Sequence, residues 1–221
     1  IYGSLSGYGQ DGPYSDRPLF DSVGQALSGA MSVTGEPNGP PAVMGFAVVD
    51  IGGGYGAALG LLAALLSRER TGVGSYLDVS LLDINITFQG HLSEMYLGSG
   101  KVPVRGGSVQ SANLPNGAFR TSDGRYLQIH CATQKFHDVL VNTLAANVKG
   151  LESLLDDERF KTLKARQSNW SIMKEVLDRA FATKTLEEWL RITQSILPIA
   201  PVNTIGEAFQ DPQVLHRNMM V

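Results

Sequence analysis

Apolar and polar positions follow two different periods in the first hundred residues. Residues 76–80 alternate as in a β-strand, whereas apolar side chains recur at helical spacing between Asp21 and Met31. The run 43–49 is apolar and is bounded by turn residues, which predicts another strand that leads to Asp50. A short strand is also expected at residues 1–6, before a glycine-rich loop.

The longest apolar segment covers residues 55–70 and consists largely of Ala and Leu. These residue types predict a helix, and because it is apolar almost all round, we expect it to be buried on most sides. Gly72 is predicted to be the C′ residue that ends this helix. A further helix is predicted over 81–96, so the order strand, helix, strand, helix indicates an α/β layer with parallel strands.

The pattern changes at Leu97. Residues 98–117 hold five glycines and two prolines, which is typical of a linker or a long irregular crossing. Beyond it, alternating residues on both sides of Asp123-Gly124 predict a β-hairpin. Helices are then expected at 135–145, 173–183 and 186–195, with a short one at 156–164 and a last helical turn opened by Asp211.

Composition removes several classes of function. The chain of 221 residues carries 18 basic and 21 acidic side chains, a net charge of −3, without the basic clusters of a nucleic-acid-binding protein. It has no uninterrupted run of 18 apolar residues, so we expect no membrane contact. Because the chain starts at Ile1 rather than Met, we expect a fragment of a longer protein.

Cysteine and histidine usage narrows the chemistry further. The single Cys131 excludes an internal disulfide framework and favours a cytoplasmic location. Its neighbour His130 faces the opposite side of a strand, so Cys131 is interpreted as a core residue rather than a nucleophile. The four histidines lack metal-ligand spacing, and no metal site is predicted.

Asp50 stands out because it lies between an apolar run and Gly52-Gly53-Gly54. A carboxylate there would meet the free amides of a helix's first turn, at a strand end where open α/β sheets place their ligand sites. The alternative is that Asp50 only caps the helix. The three glycines predict a turn with close backbone approach, either a phosphate cradle or a packing turn, and match neither nucleotide-binding fingerprint.

These motifs together resemble the family III (CaiB/BaiF) CoA-transferases, and the resemblance covers nearly the whole chain. The matching segments of the first half are 6–14, Phe20-Asp21 with Gln25, 34–37, Asp50, 65–72 and 78–83. Those of the second half are 115–117, 123–124, 200–203 and 211–214.

The resemblance implies an α/β fold with a Rossmann-like large domain, present in part, and a small α+β domain. Residues 1–97 would be the partial large domain that carries the catalytic aspartate, and 98–117 the linker. Residues 118–204 would form the small domain, and 205–221 would start the return toward the large domain. It also implies a homodimer whose two chains interlock.

The resemblance further assigns roles to individual residues. Asp50 matches the catalytic nucleophile, which attacks an acyl-CoA thioester so that CoA passes to a small carboxylic acid. Tyr8 matches a tyrosine of the active site, and Gly7, Gly52, Gly53 and Gly54 are expected to bind substrate or CoA through their backbone. Coenzyme A thioester is then a substrate, and no permanently bound cofactor is expected.

Two alternatives stay open. The same fold hosts α-methylacyl-CoA racemases, which carry a histidine directly before the aspartate of the early helix. Here Phe20 precedes Asp21, and the first 90 residues contain no histidine, which favours the transferase. The other alternative is an inactive CoA-binding fragment.

Overall fold

The computed structural model describes residues 1–219, which divide into two compact units, 1–107 and 108 onward. The first unit is built on a parallel pair of strands, β1 (Tyr2–Ser6) and β2 (Tyr76–Ser80). Tyr2 pairs with Tyr76 and Ser6 with Ser80, so both strands end at the same edge. The predicted strand at 76–80 and its parallel pairing are confirmed.

Five helices accompany this pair of strands. They are α1 (Asp21–Leu27), α2 (Ala30–Val33), α3 (Val48–Thr71), α4 (Leu81–Phe88) and α5 (His91–Ser99). The helix expected between Asp21 and Met31 is divided into α1 and α2, because Gly29 takes a left-handed conformation with φ of 90°. The helix expected over 81–96 is likewise divided at Gly90.

The strand predicted at 43–49 is not formed. Residues 41–47 are irregular, and the Met44 amide donates to the side chain of Gln25 rather than to a neighbouring strand. Helix α3 begins at Val48, well before the predicted start at residue 55, and therefore contains Asp50 and all three glycines. At its other end Gly72 is left-handed and donates to Arg68 O at 2.8 Å, which confirms the predicted C-terminal glycine.

Most of α3 is exposed, which corrects the expectation of a helix buried on most sides. Val49, Gly52, Gly53 and Ala64 are its buried residues, because β1, β2, α1 and α4 cover only one side. By length and composition α3 is long and apolar enough to cross a membrane, although the core helix of a soluble protein meets the same criterion. The absence of membrane contact therefore stays a prediction.

The second unit contains an antiparallel sheet in the order β3 (Asn116–Arg120), β4 (Tyr126–His130), β5 (Ile199–Pro201). The first two strands form the hairpin predicted around Asp123-Gly124, which is confirmed. The accompanying helices are α6 (Gln134–Asn147), α7 (Leu163–Ser168), α8 (Trp170–Phe181), α9 (Leu186–Thr193), α10 (Ile205–Phe209) and α11 (Pro212–His216).

The short helix predicted at 156–164 is replaced by a 3₁₀ turn (Glu152–Asp156) and by α7 on either side of a loop. In that loop the Asp157 carboxylate accepts from the Arg159 amide and guanidinium, at 3.0 Å and 2.7 Å. A short polar side chain that bonds nearby backbone competes with helix formation, which explains the interruption.

The core of the second unit is packed around aromatic side chains and the lone cysteine. Phe119 contacts Phe181, and Phe181 contacts Trp189, with ring centroids 5.2 Å and 5.1 Å apart. The Trp189 indole N–H donates to Phe181 O at 2.9 Å, which satisfies it in the interior. Cys131 is fully buried there, and burial raises the pKa of its thiol to about 12. Its interpretation as a core residue is confirmed.

Candidate active site

Asp50 lies at the carboxyl edge of the parallel strand pair. Three residues after it, Gly53 packs where β1 ends and α4 begins: a Cβ built on Gly53 would lie 3.6 Å from Leu5 Cδ1 and would overlap Leu81. Because Asp50 is almost one helical turn nearer the N-terminus of α3, its carboxylate lies beyond the strand ends. Ligand sites of open α/β sheets are found at this edge.

The structure does not support the alternative in which Asp50 caps α3. Asp50 is the third residue of the helix rather than the residue before it, and its side chain is exposed. Within residues 1–219 its carboxylate accepts no hydrogen bond from backbone or side chain. The carboxylate is therefore free to meet a ligand.

The cap of α3 comes from another helix, and sequence reasoning missed it. Ala47, the residue before α3, offers no side-chain cap. Instead the Asp21 carboxylate of α1 accepts from the amides of Val49 at 2.7 Å and Asp50 at 3.4 Å. These are the amides that an N-cap side chain ordinarily takes. In the sequence, Asp21 marks only the start of its own helix, 29 positions before Asp50.

Gly52, Gly53 and Gly54 lie inside α3, so the turn expected there is wrong. Within the helix their amides bond carbonyls four residues earlier, and they do not form the expected set of free backbone donors. Two of them serve close packing instead, since a Cβ on Gly52 would overlap Phe88 and one on Gly53 would overlap Leu81. Gly54 meets no neighbouring atom within 4 Å. A role of the three glycines in binding CoA stays a prediction.

Gly7 and Tyr8 lie in the loop that follows β1. Gly7 O accepts from the Leu82 amide at 3.1 Å, and a Cβ on Gly7 would come within 2.5 Å of Leu19 Cβ, so this position requires glycine. Tyr8 is half-buried and packs edge-on against Tyr14, with centroids 5.6 Å apart. The loop is therefore ordered by packing against the rest of the first unit.

Leu19 links this loop to the helices that carry the site. Besides meeting Gly7, it lies 3.4 Å from the Cβ position of Gly24 in α1, which in turn lies 3.0 Å from Val49 in α3. Further along the loop, Arg17 stacks on the Tyr14 ring at 3.9 Å from its centroid. The first unit thus brings the Gly7–Tyr8 loop and the first turn of α3 to one region.

Within residues 1–219, no three or more His, Cys, Asp or Glu side chains are grouped so that they could hold a metal ion.

An exposed carboxylate on the first turn of a helix, at the carboxyl edge of a parallel strand pair, occupies the position where open α/β proteins place their ligand sites. The family model described as CoA-transferase family III matches residues 1–221, and the chain belongs to that family.

Relatives and solved structures agree with this assignment. The chain is 32% identical over 222 residues to a human protein named succinyl-CoA:glutarate CoA-transferase, covering 100% of the chain and 49% of that protein. It is 33% identical over 223 residues to an acetyl-CoA:oxalate CoA-transferase of Acetobacter aceti, covering 100% and 56%. The crystal structure of a CaiB/BaiF family protein from Brucella suis superimposes with a TM-score of 0.84 at 32% identity, covering 100% and 57%. The chain thus spans about half the length of the relatives it matches.

Proposed function

We propose that the protein containing this chain is a CoA-transferase that moves CoA from an acyl-CoA thioester to a carboxylic acid, with Asp50 as the nucleophile. The observation that carries the proposal is the placement of Asp50 on the first turn of α3 at the carboxyl edge of the strands, where its exposed carboxylate accepts no hydrogen bond from the described residues. The family match over the whole chain supports the same activity.

The proposed reaction proceeds through covalent steps on one carboxylate. Asp50 attacks the thioester carbonyl, the C–S bond breaks, and a mixed anhydride and the CoA thiolate form. The thiolate then attacks the aspartyl carbonyl of the anhydride, which releases the donor acid and leaves an aspartyl-CoA thioester. The acceptor carboxylate attacks the aspartyl-CoA thioester, which forms a second mixed anhydride and the CoA thiolate. The thiolate then attacks the acceptor's carbonyl in this anhydride, which releases the acceptor as its CoA thioester and regenerates Asp50. Charge and atoms balance without a redox partner.

Two observations favour transfer over racemisation. The position before Asp21 is Phe20, whose side chain is 77% exposed at the start of α1 and has no group that exchanges protons. The relatives described above carry transferase names. A two-base racemase would need a second proton-exchanging group opposite Asp50, and the first 90 residues contain no histidine to supply one.

We propose small carboxylic acids as acceptors. The named relatives transfer CoA between succinyl-CoA and glutarate, and between acetyl-CoA and oxalate. We further propose that residues 1–97 are part of a Rossmann-like large domain, that 118–204 form the small domain, and that the complete protein is an interlocked homodimer. The irregular segment 100–115, which holds no helix or strand, supports that arrangement because a long connection without regular structure is long enough to pass around a second chain.

Replacement of Asp50 by Asn tests the nucleophile. Asn keeps the shape of the side chain but removes the carboxylate, so we expect turnover to fall by several orders of magnitude. Because the side chain caps nothing, the free energy of unfolding should change only by the lost interaction with the helix dipole, about 0.3–1 kcal/mol. A Glu94→Gln variant, with its exposed carboxylate on α5, is the matched control. Asp50→Asn with turnover near wild type would contradict the proposal.

A further inference from the structure

The first turn of α3 is held by a polar network that the reaction steps above do not use. Its central member is Asp21 in α1, whose Oδ1 accepts from Val49 and Asp50 amides. The carboxylate of one helix thus fixes the backbone of the residue that carries the proposed nucleophile on another. Gly24, one turn along α1, packs against Val49 and brings the two helices close enough for this contact.

Asp21 is itself fixed by a buried amide. Gln25 is 1% exposed, and its Nε2 donates to Asp21 Oδ2 at 2.6 Å. The Oε1 of the same side chain accepts from the Met44 amide at 2.8 Å, in the irregular segment that leads into α3. Gln25 therefore fixes both the Asp21 carboxylate, which caps α3, and the irregular segment that precedes α3.

Helix α4 and the residue that follows it, Gln89, also anchor α1. The buried Asn85 amide donates to Ser28 Oγ at 2.6 Å and to Gly24 O at 3.4 Å. Gln89 Nε2 donates to Ser28 O at 2.7 Å. Side-chain amides therefore join α4 and Gln89 to α1, and the Asp21 carboxylate joins α1 to the backbone of Asp50 in α3.

We infer that Asp21 and Gln25 are positioning residues, which hold the first turn of α3 so that the Asp50 carboxylate is oriented toward the thioester before substrate arrives. The inference rests on the proposed function of Asp50. Without the pair, the amides of Val49 and Asp50 lose their partner, and the first turn, which Ala47 does not cap, can fray. A displacement of about 1 Å in a reacting group can cost about a hundredfold in rate.

The test compares Asp21→Ala, Asp21→Asn and Gln25→Met in the complete natural protein. Asp21 touches the helix rather than the substrate, so we expect Asp21→Ala to lower kcat by about a hundredfold while KM for acyl-CoA stays near wild type. Asn keeps an oxygen that accepts from the two amides, and we expect it to restore a large part of kcat. Gln25→Met keeps the buried volume but removes both hydrogen bonds, and kcat should fall by an intermediate factor.

Ala64→Gly supplies the control for stability. Ala64 is buried in α3 several turns from Asp50, and the change lowers helix stability without touching the network. If Asp21→Ala does not fold, Gln25→Met decides: a kcat well below that of Ala64→Gly supports positioning, and a kcat equal to it overturns the inference.

Peptide mass mapping during turnover separates this inference from the proposed function. Variants of Asp21 and Gln25 that retain wild-type kcat, while wild-type protein still forms an adduct on Asp50, would overturn positioning and leave the nucleophile in place. Wild-type protein that turns over without any adduct on Asp50 would overturn the function itself.

Discussion

Cys131 is a residue whose chemistry is set by burial. Cys131 directly follows β4 and is fully buried, and burial raises the pKa of its thiol from 9.0 to about 12. The thiolate is the reactive form, so we expect Cys131 to resist alkylation in the folded protein and to react once the second unit unfolds. Mass mapping of its peptide after iodoacetamide treatment, with and without denaturant, measures this. Full labelling of the folded protein would contradict it.

The same pKa shift predicts the direction of a pH effect. The folded state favours the neutral thiol, so this contribution to stability is complete below about pH 9 and is lost as pH rises toward about 12. Denaturant unfolding of wild type and Cys131→Ala across that range should show the difference between them shrinking with pH.

Single residues could be predicted where local sequence determines the outcome. Asp50 was identifiable because glycines and an apolar run flank it, and Cys131 because strand alternation assigns it to the core. The contact between Asp21 and Asp50 could not be predicted, because 29 positions separate the two residues and only the packing of α1 on α3 brings them together.

The three glycines predict different effects of alanine at neighbouring positions of α3. Gly54 has no atom within 4 Å of its Cβ position, so Gly54→Ala should stabilise the helix by up to about 1 kcal/mol. At Gly53 a Cβ would overlap Leu81, and overpacking of about 1–3 kcal/mol should offset or exceed that gain.

Truncating the Leu81 side chain tests whether overlap with Leu81 causes the effect of Gly53→Ala. In a Leu81→Ala background the space next to Gly53 opens, and Gly53→Ala should then behave like Gly54→Ala. Thermal unfolding of the single and double variants measures the coupling. Equal effects of Gly53→Ala in both backgrounds would show that these glycines do not serve helix packing.

Elements with strong local signals were predictable, and elements defined by tertiary contacts were not. The hairpin followed from Asp123-Gly124, and the end of α3 from Gly72. The run 43–49 has the composition of a strand, but among residues 1–219 no strand pairs with it, and Gln25 takes the Met44 amide instead. Strand β5 is three residues long and forms only because β4 offers its free edge.

At the scale of the molecule, the exposed apolar face of α3 and the irregular segment 100–115 bear on assembly. Leu59 and Leu62 are 69% and 63% exposed in this chain. Apolar surface of this extent marks an interaction site when it is contiguous. We expect the complete protein to be a homodimer, and light scattering at micromolar concentration should give twice the mass of one chain. A monomer mass would count against the interlocked arrangement.

The most direct test of the proposed chemistry is to trap the covalent intermediate. Hydroxylamine or borohydride, added while the complete protein turns over acyl-CoA and an acceptor acid, should modify one side chain. Peptide mass mapping is expected to find that modification on Asp50, and to find none in Asp50→Asn. Sustained turnover by wild-type protein with Asp50 unmodified at every time point would contradict the assignment of Asp50 as the nucleophile.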